Sequence, residues 1–130
     1  MNTDTISDFL TRLRNAMSAH LEVCEVPSSR LKFDIAKILE REGYVGKVTL
    51  RTEGTKKILS VVLKFEDREP AIRSIKRISK PGLRVYRGAT ELPRVLSDIG
   101  IAIVSTSAGV MTNKEARRRK LGGEVICEIY

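Results

Sequence analysis

Three hydroxyl side chains in a row, Ser105-Thr106-Ser107, follow an apolar run at 101–104 and precede Ala108-Gly109. A serine in such a place becomes a nucleophile when a glycine stands two positions before it and a base lies within reach. Neither condition is met. Ser107 has Ser105 at the position a G-x-S-x-G elbow reserves for glycine, and His20 is the sole histidine, far off in the other half of the chain. That leaves no Ser-His-Asp set, and no Walker A loop or G-x-G-x-x-G is present. Cys24 and Cys127 form no C-x-x-C pair, so two buried, reduced thiols are expected rather than a disulfide or metal site. His20 has no second ligand at zinc spacing. We therefore expect no catalytic residues, no metal, no cofactor and no small-molecule substrate. What remains is binding. Hydroxyls, the glycines Gly109, Gly122 and Gly123, and the cations Arg117-Arg118-Arg119-Lys120 suit a surface that grips a phosphate backbone without breaking it. The alternative is that the hydroxyls satisfy the backbone of a turn.

The charge balance points the same way. The chain of 130 residues carries a formal charge of +8, with a sequence pI of about 9.8. Residues 1–67 hold eleven Lys/Arg against ten Asp/Glu, a net of +1. Residues 68–130 hold thirteen against six, a net of +7. A polyanion should meet the second half most strongly, although a basic surface can also serve solubility alone. The apolar fraction of 42% is enough for a core. No apolar run has transmembrane length and no secretory signal opens the chain, so a soluble protein with no membrane partner is expected.

The elements that must position these groups fall into two lobes, 1–67 and 68–130. In the first, a helix opens at Thr3-Asp4-Thr5-Ile6, with Asp4 or Thr5 as cap and Thr5 with Asp8 at capping-box spacing. Ile6, Phe9, Leu10, Leu13 and Met17 make its apolar stripe. A short strand at 22–26 ends at Pro27; Ser28 or Ser29 caps a second helix, with Leu31, Ile35, Ile38 and Leu39 on one face and Gly43 as its stop. Arg30 and Lys32 oppose the helix dipole there, a weak hint of an external anion. Strands at 44–51 and 58–65, joined through Gly54, complete a helix-strand-helix-strand-strand lobe.

The charged run 66–70 reads as a linker and the lobe boundary. Beyond it we expect a strand at 72–79, a type II turn at Lys80-Pro81-Gly82, a strand at 83–87, a turn at 88–90 and a short helix at 91–97 with Pro93 in its first turn. Then come the strand at 101–104, the hydroxyl loop, a short helix carrying 117–120, a Gly122-Gly123 turn and a last strand at 124–130. On the strand at 83–87, Arg84 and Tyr86 share a face, where an aromatic ring beside a cation fits either RNA packing or a half-buried position. The predicted class is α+β, the N-terminal lobe packed on a C-terminal antiparallel β lobe with short helices.

These residues carry a resemblance. The run 101–112, Ile-Ala-Ile-Val-Ser-Thr-Ser-Ala-Gly-Val-Met-Thr, with Glu115-Ala116-Arg117 and Gly122-Gly123-Glu124, resembles the signature of the bacterial-type small ribosomal subunit protein eight family. The run 77–86, Glu91-Leu92-Pro93-Arg94-Val95, Leu13-Arg14-Asn15 and Pro27-Ser28-Ser29 match it too. The likeness runs nearly end to end. The chain departs from it with Thr5 in place of proline, Asp98-Ile99-Gly100 in place of Gly-Leu-Gly, and Ala108 in place of a polar residue. The resemblance implies a two-lobe α+β fold in the cytoplasm, in the ribosome, and direct binding to the central domain of small-subunit (16S) ribosomal RNA, whose folding it assists. It implies neighbouring small-subunit ribosomal proteins as partners and, in bacteria, repression of its own operon through the mRNA. RNA contacts carried onto matching positions fall at Ser105, Thr106, Ser107, Tyr86, Arg87, Gly122, Gly123 and Glu124. A smaller patch comprises Thr3, Asp4, Ser29, Arg30 and Lys32. A small hydrolase or nuclease using Ser107, and a general DNA-binding or chaperone-like basic protein, are the competing readings.

Overall fold

The apolar stripe at the start of the chain forms a helix, α1 (Thr5–Ser18), and all of Ile6, Phe9, Leu10, Leu13 and Met17 are buried, with Ala16. These and later coordinates come from a computed structural model that describes residues 4–130. Thr5 is the first helical residue, so it does not cap; Asp8 inside the first turn pairs with Arg12 at 3.2 Å. The chain divides into two units, Thr5–Ile72 and, among the described residues, Asp4 with Arg73–Tyr130.

In the first unit, β1 (Val23–Pro27) buries Cys24 and Val26. The second helix, α2 (Arg30–Arg41), is capped by Ser29, whose hydroxyl accepts from the Lys32 amide at 3.2 Å. Its C-terminus closes as a Schellman motif. Gly43 takes a positive φ of 81°, and the amides of Tyr44 and Gly43 return to the Leu39 and Glu40 carbonyls at 2.9 and 3.1 Å. Tyr44 is thereby withdrawn from the sheet, so β2 (Val48–Glu53) starts later than its sequence predicts. It pairs with β3 (Lys56–Val62) across a tight Gly54-Thr55 turn, with Gly54 at φ 63° as primed hairpin turns require. The antiparallel order is β1-β3-β2. Phe9, Leu10, Leu13, Ile35, Leu39, Leu59 and Val61 are fully buried, each stabilising by about 1.5–3 kcal/mol.

The charged run expected to be a linker instead folds on itself. β4 (Phe65–Glu66) pairs with β5 (Glu69–Pro70), and Asp67 and Arg68 make the turn with φ of 52° and 68°. His20 holds it: Nε2 donates to Arg68 O at 3.1 Å and the ring stacks on Phe65 at 5.3 Å.

The second unit is a sheet of order β6-β10-β8-β9, with β7 also on β10. Its strands are β6 (Ile75–Arg77), β7 (Tyr86–Arg87), β8 (Ile101–Thr106), β9 (Gly109–Thr112) and β10 (Gly123–Ile129). A helix, α3 (Asn113–Arg118), follows β9 and is capped by Thr112, whose hydroxyl accepts from the Glu115 amide at 3.2 Å. Leu92, Val95, Ala102, Val104, Met111, Ala116 and Val125 form its core cluster.

The second unit departs from expectation at four places. The turn at 80–83 closes with reciprocal Lys80–Leu83 bonds of 2.9 Å, but Gly82 lacks the positive φ of a type II turn. The helix expected at 91–97 does not form. Only Ala89–Glu91 makes a 3-10 turn, and the Pro93 carbonyl, which a helix would offer to its own ladder, accepts Asn113 Nδ2 at 2.7 Å. The hydroxyl loop is shorter than predicted, because β8 continues through Thr106 and Ser107-Ala108 turn it into β9, a strand sequence reading missed. Gly122-Gly123 is not a turn: the chain leaves α3 through Arg119 and Lys120, the latter at φ 59°, and Gly123 already belongs to β10.

Candidate nucleic-acid interface

Strand register brings six of the predicted residues into two neighbouring rows. Glu124 on β10 sits opposite Ser105 on one side and Tyr86 on the other; Gly123 sits opposite Thr106 and Arg87. Directly paired residues of antiparallel strands share a face. Ser105, Glu124 and Tyr86 thus form one row across three strands, and Thr106, Gly123 and Arg87 form the next on the opposite pleat. Tyr86 is 63% exposed, which decides its reading against a half-buried strand tyrosine. Arg87 is exposed as well, with Nη1 on its neighbour's carbonyl, Tyr86 O, at 2.9 Å.

The three hydroxyls differ. Thr106 Oγ1 donates to Gly109 O at 2.8 Å and accepts from the Ala108 amide at 3.1 Å, so it builds the turn. Ser107 is exposed at the tip and Ser105 half-buried in the strand. The two glycines have a structural reason of their own. A Cβ on Gly123 would stand 2.1 Å from Ser105 O, and one on Gly122 would stand 2.5 Å from Arg87 O. Their bare backbones let β10 close on β8 and on the segment at 87–89.

Glu124, the odd carboxylate among residues expected to meet phosphate, is anchored from within. Its Oε2 accepts the Ser79 hydroxyl and Arg84 Nη1, the latter at 3.1 Å. Ser79 went unremarked in the sequence, where nothing but its place before Lys80-Pro81-Gly82 distinguishes it. Asn113 is a second such residue: it is fully buried, accepting from the Ala102 amide at 3.0 Å while donating to Pro93 O. The Thr112-x-x-Glu115 capping spacing was the available signal.

Of the cationic stretch at 117–120 only Arg117 is turned inward, while Arg118, Arg119 and Lys120 stay exposed. Arg117 Nη2 reaches both oxygens of Asp98 at 3.0 Å, and Arg94 joins the same carboxylate at 2.8 Å. Arg118 and Arg119 share Glu115 at 3.9 and 3.1 Å. The clamp on Asp98 holds an unusual backbone, since Leu96, Ser97 and Asp98 take φ of 46°, 53° and 70°. Left-handed residues cost roughly 1–2 kcal/mol each. Asp98 stands where the resembled family has glycine, and its ion pairs keep the left-handed turn there. Desolvation raises the Asp98 carboxyl, but the Arg117 bond and the charges of Arg117, Arg94 and Lys114 outweigh it and hold it below the ordinary range.

The smaller patch falls in both units, and Thr3 lies outside the described residues. Asp4 receives Arg77 Nε at 3.2 Å and Nη2 at 3.3 Å. Arg77 Nη1 also donates to the Ile126 carbonyl at 2.7 Å, at the bulge between Val125 and Cys127. In the other unit Ser29 caps α2, and Lys32 is only 8% exposed, with Nζ donating to Pro27 O at 3.1 Å. Arg30 is exposed at the helix start.

Both cysteines are buried and free, and burial pushes the Cys127 thiol up to about 12. A thiol in that state supplies no nucleophile at neutral pH. Among the described residues no cluster of His, Cys, Asp and Glu could hold a metal, and no helix is long and apolar enough to cross a membrane.

Comparison with known proteins places the chain. The sequence pattern described as Ribosomal protein S8 matches residues 4–130. The chain belongs to the ribosomal protein S8 family. It is 54% identical over 129 residues to the small ribosomal subunit protein uS8 of Anaeromyxobacter dehalogenans (strain 2CP-C), covering 98% of each chain. The protein of the same name from Trichodesmium erythraeum (strain IMS101) is 52% identical, with 98% of this chain and 97% of the relative covered. That of Christiangramia forsetii is 49% identical over the whole of both chains. Ribosomal protein S8 is a structural component of the cytoplasmic ribosome and not an enzyme, which removes the hydrolase and nuclease reading of Ser107.

Proposed function

We propose that the chain works in the small ribosomal subunit, among its neighbouring proteins, by binding the central domain of small-subunit ribosomal RNA directly and helping it fold. Its principal surface is Ser105, Thr106, Ser107, Tyr86, Arg87, Gly122, Gly123 and Glu124. Lesser contacts are proposed separately at Thr3 and Asp4 and, in the other unit, at the α2 start with Ser29, Arg30 and Lys32, where Arg30 is the exposed cation. The observation that carries this reading is the strand register, which lines Ser105, Glu124 and Tyr86 into one row on a single face of the sheet, with Thr106, Gly123 and Arg87 next along the strands at its edge. An A-form stem offers a wide, shallow minor groove of 2′-hydroxyls and base edges. Ser105 and Ser107 are short enough to reach it with little side-chain entropy loss. Tyr86 supplies an exposed ring for a ribose or an unstacked base. Arg87 supplies charge at the rim. Within this surface Thr106, Gly122 and Gly123 serve the RNA by shaping the backbone it meets. The same surface would recognise an mRNA stem of similar shape, and that is how repression of its own operon would work.

The test is a filter-binding comparison of a central-domain RNA stem, the operon mRNA leader and a DNA hairpin of equal length, with strand integrity followed throughout. Both RNAs should bind and the DNA should not. Replacing Ser105 and Ser107 by Ala together should weaken RNA binding by at least about fivefold, since each lost polar contact costs about 0.5–1.5 kcal/mol. Indifference to the sugar would overturn the reading in favour of a general basic binder.

A further inference from the structure

Ser79 is fully buried and lies outside the surface just described, yet β10 and the segment that enters β7 both bond to it. A hydroxyl has one proton to give and lone pairs to accept with. Ser79 gives its proton to Glu124 Oε2 and accepts the Val85 amide at 3.2 Å. Its own amide reaches the Val125 carbonyl at 3.1 Å and the Ile126 carbonyl at 3.4 Å. The loop from 80 to 85 therefore leaves and returns at one side chain, and the reciprocal Lys80–Leu83 bonds close it between. Val85 in turn accepts from the Val125 amide at 2.9 Å, immediately before the Tyr86–Glu124 pair.

The consequence for Glu124 is directional. Oε2 is engaged by Ser79 and by Arg84, which fixes the plane of the carboxylate. Oε1 is the remaining acceptor. A carboxylate oxygen repels a phosphate, which has only acceptors at neutral pH, but it accepts well from a hydroxyl donor. We propose that Ser79 is a positioning residue for this surface: by fixing Glu124 and Val85 together it aims Glu124 Oε1 at a ribose 2′-hydroxyl and sets Tyr86 beside it. This rests on the RNA-binding reading and adds to it the source of ribose selectivity at that point.

The experiment compares wild-type protein, Ser79→Ala, Glu124→Gln and the double variant, each binding the RNA stem and the same stem with single 2′-deoxy substitutions. Thermal unfolding and salt dependence are recorded for each. Ser79→Ala should lose about tenfold in affinity, the scale of one hydrogen bond to a charged group. It should also lose the penalty for one particular 2′-deoxy position and leave the salt slope unchanged. In the Glu124→Gln background the same change should add less than about twofold, because both act through one contact. If Ser79→Ala does not fold, Ser79→Cys, similar in size with a weaker donor and acceptor, is read by the same criteria. Full retention of affinity and of every 2′-deoxy penalty would overturn the role of Ser79. So would equal losses in both backgrounds, the mark of a merely structural part. A wild-type chain that fails to bind the stem would instead overturn the functional reading itself.

Discussion

Two stretches of the second unit look, on paper, like equal candidates for holding RNA. One is Arg117-Arg118-Arg119-Lys120, four cations in a row; the other is the nearly uncharged set Ser105, Gly123, Glu124 and Tyr86. The fold treats them in opposite ways. Arg117 is drawn under a left-handed turn by Asp98, and Arg118 and Arg119 lean on Glu115. The uncharged set is instead spread across three strands, with one carboxylate anchored from behind. Of the four neighbouring cations, Arg117 is withdrawn into the scaffold and the other three remain presented to a partner. Exposed ion pairs are weak and can be exchanged for phosphate, whereas the Arg117–Asp98 pair is part of the scaffold.

The sharpest way to break the comparison is through the strand contact. Gly123→Ala puts a methyl 2.1 Å from the Ser105 carbonyl, so β10 must part from β8. We expect a loss of about 3 kcal/mol in urea unfolding, at the upper end for overpacking. Gly82→Ala, with nothing within 4 Å of the added Cβ, should stay within about 0.5 kcal/mol. Equal effects would mean that the close approach is not a constraint.

A smaller effect separates the arginines. Arg117→Gln should lower stability by about 1.5 kcal/mol, because it leaves Asp98 without its bidentate partner. Arg118→Gln should leave stability within about 0.5 kcal/mol and reduce the salt slope of RNA binding by about one. If Arg117→Gln altered only the salt slope, it would join the exposed cations and the contrast would fail.

The smallest expected effect is a pH dependence. Asp98 is held below the ordinary carboxylate range in the folded chain, so it binds its proton more readily when unfolded. Its contribution should be complete above the unfolded value of about 4. It should fade as pH falls through the lower folded value. Asn tolerates the left-handed backbone, so Asp98→Asn isolates the charge. The gap between wild type and variant in urea midpoint should be constant from pH 7 to 5 and shrink in acid. A gap that persists in acid would remove the ion pair from the account.

The sequence by itself determined the parts whose signal is local. The helical stripe of Ile6, Phe9, Leu10, Leu13 and Met17, a serine cap at 28–29, the stop at Gly43 and the order α1-β1-α2-β2-β3 follow from spacing and backbone preference, whereas the β4–β5 hairpin does not. It also marked Ser105–Ser107 and Gly122–Glu124 as a functional pair, through their resemblance to a family. Only the tertiary structure decided what each of those residues does. The helix expected at 91–97 yields because Asn113, twenty residues on, takes the Pro93 carbonyl. Gly122 and Gly123 prove necessary because of the carbonyls of Arg87 and Ser105, and Ser79 matters because Glu124 crosses to it from another strand. Such bonds join residues far apart in the chain, and no periodicity or local preference encodes which distant group will arrive.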